Sequence, residues 1–191
     1  MSKPYKLIFG ILVLSSFLLS GCTQGGTGKA PENSSELEAV SEPPAEPSAV
    51  QVTFEGTDLD GNSVSSEVFS QSKLTMVNVW ATYCNPCLRE MPELGELADE
   101  YDAEEFQILG IVSDVMEGTD QSQVERLVQQ TGANYPHLLL NESIYYALLT
   151  DVSGVPTTFF MDENGVVLGR VSGAKEKSVW EEIINELLAE E

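Results

Sequence analysis

Two cysteines spaced C-x-x-C are the residues of this sequence best suited to chemistry. Cys84 and Cys87 follow an apolar run at 74–81, with Pro86 between them, and a helical pattern begins near Asn85. A helix N-terminus presents unpaired backbone N–H groups and the positive end of the macrodipole, both of which stabilise a thiolate. The pattern therefore predicts Cys84 as a nucleophile. Cys87, one turn further on, is predicted to resolve a mixed disulfide formed at Cys84.

Cysteine usage and charge limit what else the chain could be. Cys22 is the only other cysteine, so there is no disulfide framework, and we expect no cofactor beyond a redox-active Cys84–Cys87 disulfide. The formal net charge of −22 would repel nucleic acid, which is therefore not an expected partner. With 191 residues, 42% of them hydrophobic, the chain is predicted to form one globular domain with extensions, as a monomer.

The N-terminus has the organisation of an export signal. Lys3 and Lys6 precede an apolar run at 7–19, which is too short for a comfortable membrane span. The residues 19–22, LSGC, resemble the lipobox of bacterial lipoproteins. That resemblance implies a signal peptide at 1–21 and a lipid anchor on Cys22, which would become the new N-terminus. The alternative is an ordinary secretory signal followed by an unused cysteine.

Residues 22–50 are rich in Gly, Ser, Pro and Glu. Such a composition cannot bury enough apolar surface to offset its ordering entropy, so this segment is predicted to be a flexible, self-repelling tether. The folded domain is therefore expected to occupy residues 51–191.

Within that domain, strand and helix patterns alternate. An Asp60-Gly61 turn predicts an N-terminal β-hairpin, and the apolar run at 74–80 predicts a central strand covered on both faces. The helix after the cysteines should carry apolar side chains on one face and solvated acids on the other. Further strands are predicted at 106–115, 135–140, 157–161 and 166–171, and further helices at 120–130, 143–149 and 175–188. This order predicts an α/β fold with a mixed sheet and helices on both faces.

Three segments in this order resemble a known family. They are WATYCNPC at 80–87, PEL at 92–94 and GVPTTF at 154–159. Together they resemble the thioredoxin fold, and specifically the TlpA/ResA branch of extracytoplasmic thiol-disulfide oxidoreductases, over about residues 52–188. The resemblance implies a cis bond before Pro156, facing the disulfide, and a substrate segment that pairs with the backbone of Val155.

The sequence departs from relatives at two positions that tune the redox pair. Asn78 stands where classical thioredoxins carry a buried acid that accepts the proton of the resolving thiol, so this acceptor is unassigned. Asn85 stands where one subgroup has Glu, and it is expected mainly to cap the helix. Glu90 matches a position that is commonly acidic in the family. It is equally expected to be a solvated charge on the helix surface.

Aromatic residues beside the cysteines have two interpretations. Trp80 and Tyr83 could shape the groove where substrates dock, or they could simply pack, and packing is the preferred interpretation for Trp80. His137 is the only histidine and is expected to be structural. A zinc site is disfavoured because a closed site needs four ligands and there is no second C-x-x-C. A peroxidase is disfavoured because P-x-x-x-T-x-x-C is absent.

The resemblance implies a membrane-anchored enzyme on the outer face of a bacterial cytoplasmic membrane. It would act as a reductant of protein disulfides, with clients such as apocytochrome c or methionine sulfoxide reductases. A membrane electron donor of the CcdA/DsbD type would re-reduce the pair. Two alternatives stay open, namely a dithiol oxidase that forms disulfides and a copper chaperone on the same fold. The copper chaperone is the weaker of these two interpretations, because such proteins resemble C-x-x-x-C with a distant histidine, whereas this chain has the shorter C-x-x-C spacing.

Overall fold

The computed structural model describes residues 51–189. The elements in chain order are β1 (Glu55–Thr57), β2 (Ser63–Ser65), a 3-10 helix (Ser66–Gln71), β3 (Leu74–Trp80), α1 (Asn85–Glu100), β4 (Phe106–Met116), α2 (Ser122–Thr131), β5 (His137–Leu140), α3 (Glu142–Ile144), a π-helical turn (Tyr145–Leu149), β6 (Thr157–Asp162), β7 (Val167–Ser172) and α4 (Lys177–Ala189). The predicted signal peptide, Cys22 and tether lie outside these residues.

Strand β3 is the centre of a five-stranded mixed sheet. The strand order is β5-β4-β3-β6-β7, with β3, β4 and β5 parallel and with β6 and β7 antiparallel to their neighbours. All seven residues of β3 are buried, as expected for an apolar run covered on both faces. The predicted α/β thioredoxin-type architecture is confirmed. Because β3 is the central strand, its C-terminal end lies in the middle of the row of strand ends on that side of the sheet.

Two apolar clusters cover the two faces of this sheet. One contains buried side chains of α1, α2 and α4, including Leu94, Val124 and Trp180. The other contains Phe69 of the 3-10 helix and Ile144, the last residue of α3. Because the helical elements divide between the clusters, the sheet has helices on both faces, as predicted from the chain order.

The N-terminal hairpin is present but small. Its strands pair antiparallel as a separate two-stranded sheet, and Gly61 supplies the positive φ of 81° that the turn requires. Val52 and Phe54, which precede the hairpin, are buried in the core, and the pairing of its strands begins at residue 55. The N–H of Leu59 donates to the His137 carbonyl, so the hairpin lies against the outer edge of β5.

Two other elements differ from the sequence prediction. The segment predicted as a helix at 143–149 is a short α-helical turn that continues as a π-helical turn. The strand predicted to start at Tyr135 starts at His137. None of the helices within residues 51–189 is both long and apolar enough to cross a bilayer.

Candidate active site

Cys84 and Cys87 form a disulfide at the start of α1, with their Cα atoms 5.3 Å apart. Cys84 is the N-cap of the helix, and its sulfur accepts a hydrogen bond from the N–H of Cys87 at 3.2 Å. Pro86 follows in the first turn, where its missing N–H costs no helical hydrogen bond. The cap is therefore the cysteine itself, and the expectation that Asn85 caps the helix is wrong, since Asn85 is its first residue.

The two sulfurs differ in accessibility. The exposed fraction of Cys84 is 6%, whereas Cys87 has no exposed surface. Cys84 is thus the member of the pair that another molecule can approach, and Cys87 lies inside the protein, beneath it. This geometry suits an outer sulfur that exchanges with a partner and an inner sulfur that attacks the outer one.

The turn before β6 faces the disulfide. The Val155–Pro156 peptide bond is cis, as the resemblance implied, and Pro156 is buried. The carbonyl oxygen of Val155 lies 3.6 Å from the sulfur of Cys84. This oxygen comes from a segment 71 residues away in sequence, and it reaches the disulfide because β6 pairs with β3.

The loop between β3 and Cys84 is held from the neighbouring strand. The carboxylate of Asp114 accepts hydrogen bonds from the backbone N–H of Thr82 and, at 2.6 Å, from its hydroxyl. Asp114 lies on β4, which runs parallel to β3. A side chain on the adjacent strand therefore fixes the approach to the redox pair, and nothing in the sequence alone links these two positions.

Glu90 is buried beneath the redox helix, which corrects the expectation of a solvated charge. Only 3% of this residue is exposed. Its Oε1 accepts from Nδ2 of Asn78 at 3.2 Å, and its Oε2 accepts from the N–H of Lys175 at 3.1 Å. Burial raises the pKa of Glu90, and these hydrogen bonds oppose the rise without cancelling it. A carboxyl that can hold a proton thus lies three residues after Cys87.

Solvent reaches Glu90 through a small polar cleft beside α1. The cleft has a volume of about 230 Å³. Its walls include Pro86, Glu90, Glu93 and Lys175, so it opens next to the C-x-x-C. A proton bound at Glu90 can therefore exchange with water even though the side chain is almost fully covered.

Trp80 packs in the core and does not face the groove. Its indole has no exposed surface, and its Nε1 donates to Nδ1 of His137 at 3.2 Å. The expectation that Trp80 contacts substrate is corrected by this burial, which agrees with the packing interpretation. His137 donates from Nε2 to the Ala133 carbonyl, and burial lowers its pKa to about 4. The only histidine is thus a neutral, hydrogen-bonded core residue.

Tyr83 and Asn85 flank Cys84 on the surface. Tyr83 is 74% exposed, and Asn85 is exposed as well. Neither side chain is enclosed by other residues, so Tyr83 remains available to a docking molecule. This exposure contradicts the packing interpretation of Tyr83.

Thr158 is a residue of this site that the sequence did not indicate. Its hydroxyl oxygen accepts from Nδ2 of Asn78 at 3.2 Å, and the two residues are paired across β3 and β6. Predicting the contact would require knowing the strand register. For Glu90 a signal did exist, because its position is one turn beyond Cys87 on the face that carries Met91 and Leu94.

A disulfide at a helix N-terminus, beside a cis-proline turn at the edge of a mixed sheet, defines a redox protein of the thioredoxin fold. The model of the AhpC/TSA family matches residues 49–170, and the chain belongs to this family. It is 27% identical over 190 residues to the thiol-disulfide oxidoreductase ResA of Bacillus cereus. This alignment covers 97% of this chain and 98% of the relative.

Other relatives and solved structures agree. The thiol-disulfide oxidoreductase ResA of Geobacillus kaustophilus is 31% identical over 63% of this chain and 66% of its own length. The structure of StoA from Bacillus subtilis aligns with a TM-score of 0.56 at 18% identity, over 70% of this chain and 97% of StoA. A thioredoxin-family thiol:disulfide interchange protein from Chlorobium tepidum aligns with a TM-score of 0.58 at 23% identity, over 72% of this chain and 94% of its own length. At these identities the two structures show the fold alone. Together with the bonded cysteine pair, the ResA relatives identify the chain as a thiol-disulfide oxidoreductase.

Proposed function

We propose that the protein reduces disulfides of extracytoplasmic proteins, with Cys84 as the attacking sulfur and Cys87 as the resolving one. The observation that carries this proposal is the position of Cys84. Its sulfur caps α1 and lies against the Val155 carbonyl, and the residue retains some exposure while Cys87 has none. A partner disulfide can therefore reach Cys84 directly and Cys87 only through Cys84.

The charges around the pair support the reducing direction. Reduction creates a thiolate at Cys84, and the protein already carries a formal net charge of −22. Asn78 and Asn85 are both neutral, so neither adds a positive charge that would offset this repulsion. The helix N-terminus then supplies the main stabilisation of the thiolate, and a dithiol whose reduced form is only modestly stabilised is a better electron donor than acceptor.

The reaction proceeds by two thiol–disulfide exchanges. The Cys84 thiolate attacks one sulfur of the substrate, so that a Cys84–substrate bond forms, the substrate S–S bond breaks and the leaving thiolate takes up a proton. Cys87 then loses its proton and attacks the Cys84 sulfur, which releases the second substrate thiol. Two electrons pass to the substrate, and the Cys84–Cys87 disulfide remains.

The surrounding residues have distinct roles in this proposal. The Val155 backbone aligns an extended substrate segment beside Cys84, and Pro156 holds that turn against the disulfide. The buried carboxyl of Glu90 accepts the proton of Cys87 and passes it to water in the adjoining cleft, and Asn78 positions this carboxyl. Glu90 thereby takes the role that Asn78 cannot perform.

The proposal is tested with purified protein and insulin as a disulfide substrate. We expect Cys84→Ser to abolish reduction and Cys87→Ser to accumulate a mixed disulfide, while Leu168→Ser, a change on exposed β7, leaves the rate unaltered. The Cys84/Cys87 reduction potential should be lower than about −200 mV. A value near about −120 mV, typical of strong oxidants, would instead indicate a dithiol oxidase.

We further propose that a lipid on Cys22 anchors the protein to the outer face of the cytoplasmic membrane. Anchoring would keep the redox pair close to a membrane electron donor of the CcdA/DsbD type and raise its effective concentration there. The LSGC sequence supports this proposal. Labelled palmitate should be incorporated into the wild-type chain and not into Cys22→Ser, and equal labelling of the two would contradict it.

A further inference from the structure

A cleft continues from the redox pair along the turn before β6. It has a volume of about 450 Å³. Apolar and aromatic side chains form most of its wall, and the residues that carry the argument are Tyr83, Tyr145, Leu149, Val152 and Val155. Val155 belongs both to this wall and to the contact with the Cys84 sulfur, so the cleft and the disulfide share one edge.

Two exposed tyrosines, Tyr83 and Tyr145, line this cleft, and a third, Tyr146, lies next to Tyr145. Tyr83 is 74% exposed, Tyr145 is 45% exposed, and Tyr146, whose ring packs edge-on against Tyr145 at 5.3 Å between centroids, is 70% exposed. Large aromatic side chains are common at binding surfaces because they offer a broad apolar contact at a low cost in conformational entropy. The π-helical turn that begins at Tyr145 is a feature often found at functional positions.

The geometry indicates what kind of molecule would fill the cleft. An extended chain that exchanges disulfides with Cys84 must pass the Val155 backbone, and a side chain close to its cysteine then faces the cleft. The lining residues carry no charge, so this side chain should be apolar. The formal net charge of −22 favours a partner of the opposite sign during encounter.

We propose that this cleft is a specificity pocket for an aromatic or large aliphatic side chain next to the reactive cysteine of a cationic protein substrate. The inference rests on the proposed function, because it presupposes exchange at Cys84. It adds a rule for substrate choice: the protein selects disulfides by the residue beside them. A small disulfide such as oxidised glutathione leaves the pocket unfilled.

The test uses two lysine-rich peptides that each contain one internal disulfide. One carries Phe two residues before and after its reactive cysteine, and the other carries Ser at the same positions. We expect the reduced wild-type protein to prefer the Phe peptide by about tenfold in kcat/KM, which corresponds to partial burial of one aromatic side chain. In Tyr145→Ser this preference should fall towards unity, mainly through KM.

Leu168→Ser is the matched control, because it removes an equally exposed apolar side chain on β7 and should keep the tenfold preference. Equal kcat/KM values of the wild-type protein on both peptides would overturn the proposal of a specificity pocket. A Tyr145→Ser variant that retains the preference for the Phe peptide would overturn it as well. Failure of the proposed function is distinguishable, because then neither peptide would be reduced in a manner that depends on Cys84.

Discussion

The amide Nδ2 of Asn78 donates a hydrogen bond to Oε1 of Glu90 at 3.2 Å, in the buried layer between β3 and α1. The other carboxylate oxygen accepts from the N–H of Lys175, just before α4. One buried carboxyl thus connects the central strand, the redox helix and the segment that leads into the last helix of the fold. Its charge state therefore affects both catalysis and stability, and the two effects can be measured separately.

Stability should depend on the protonation of Glu90. Because burial raises the pKa of Glu90 above 4.5, the folded protein retains this proton to a higher pH than the unfolded chain does. This contribution to stability is present at low pH and is lost as the pH rises from about 4.5 through the raised folded pKa. Glu90→Gln removes that loss. In urea unfolding of the oxidised protein, the free energy of unfolding of the variant should increase relative to that of wild type as the pH rises.

The matched control for this experiment is Glu104→Gln, an exposed acid on the turn before β4. This variant removes one exposed negative charge, and only a change beyond that of the control is assigned to the burial of Glu90. A Glu90→Gln difference that follows the control at every pH would show that the buried carboxyl does not titrate differently in the two states.

Catalysis should respond to the same substitution at a different step. If Glu90 accepts the proton of Cys87, Glu90→Gln should slow resolution of the mixed disulfide by about a hundredfold to ten-thousandfold, the usual range for loss of general acid–base assistance. The initial attack by Cys84 should be much less affected. Stopped-flow measurement of mixed-disulfide decay isolates the step, and an unchanged pH profile of decay would contradict the role.

Cys84 should ionise at a lower pH than free cysteine. In the reduced protein its thiolate would sit at the N-terminus of a 16-residue helix, within reach of the Cys87 N–H that its sulfur contacts in the disulfide. Thiolate absorbance of the Cys87→Ser variant, titrated against pH, measures this property. Half-ionisation at or above about 8.5, the value for free cysteine, would refute it.

The buried His137 should make the protein sensitive to mild acid. The pKa of His137 in the folded protein is about 4, below the ordinary value of 6.5. The contribution of this residue to the free energy of unfolding is therefore fully present above about pH 6.5 and is lost as the pH falls towards 4. The expected loss is about 3 kcal/mol by pH 4. In His137→Asn the amide oxygen can still accept from Trp80. This variant should be less stable than wild type at pH 7, and it should lose about 3 kcal/mol less stability than wild type between pH 7 and pH 4. Denaturant melts of both proteins at pH 4 and pH 7 give the comparison.

Gly110 should not tolerate a side chain. A Cβ at this position would lie 2.1 Å from Nδ1 of His137, the atom that accepts the hydrogen bond of Trp80. Gly110→Ala should therefore destabilise the protein by about 1–3 kcal/mol. Gly169→Ala is the control, because its Cβ meets nothing within 4 Å, and its stability should stay within about 0.5 kcal/mol of wild type. Equal thermal midpoints for the two variants would contradict the clash.

The sequence predicted the elements around the redox pair well because their signals are local. The bounds of β3 match the apolar run at its two ends, and the C-x-x-C with Pro86 marks the helix start within one residue. The contacts of Asn78 with Thr158, and of Thr82 with Asp114, depend on strand register and neighbours that no local pattern encodes. The position of Glu90 on the apolar face of α1 is a local signal for its burial, but an acid is usually solvated, and the packing of α4 against α1 is what covers it.

The pairing of β3 with β6 joins two parts of the chain that lie on either side of the turn at 117–121. Were the polypeptide divided at this turn, one fragment would carry both cysteines and the other would carry Val155 and Pro156. Each fragment would therefore lack part of the active site. Thiol-disulfide oxidoreductase activity on mixing the two would then report assembly of the sheet, which makes this fold a candidate for a split-enzyme sensor of protein proximity.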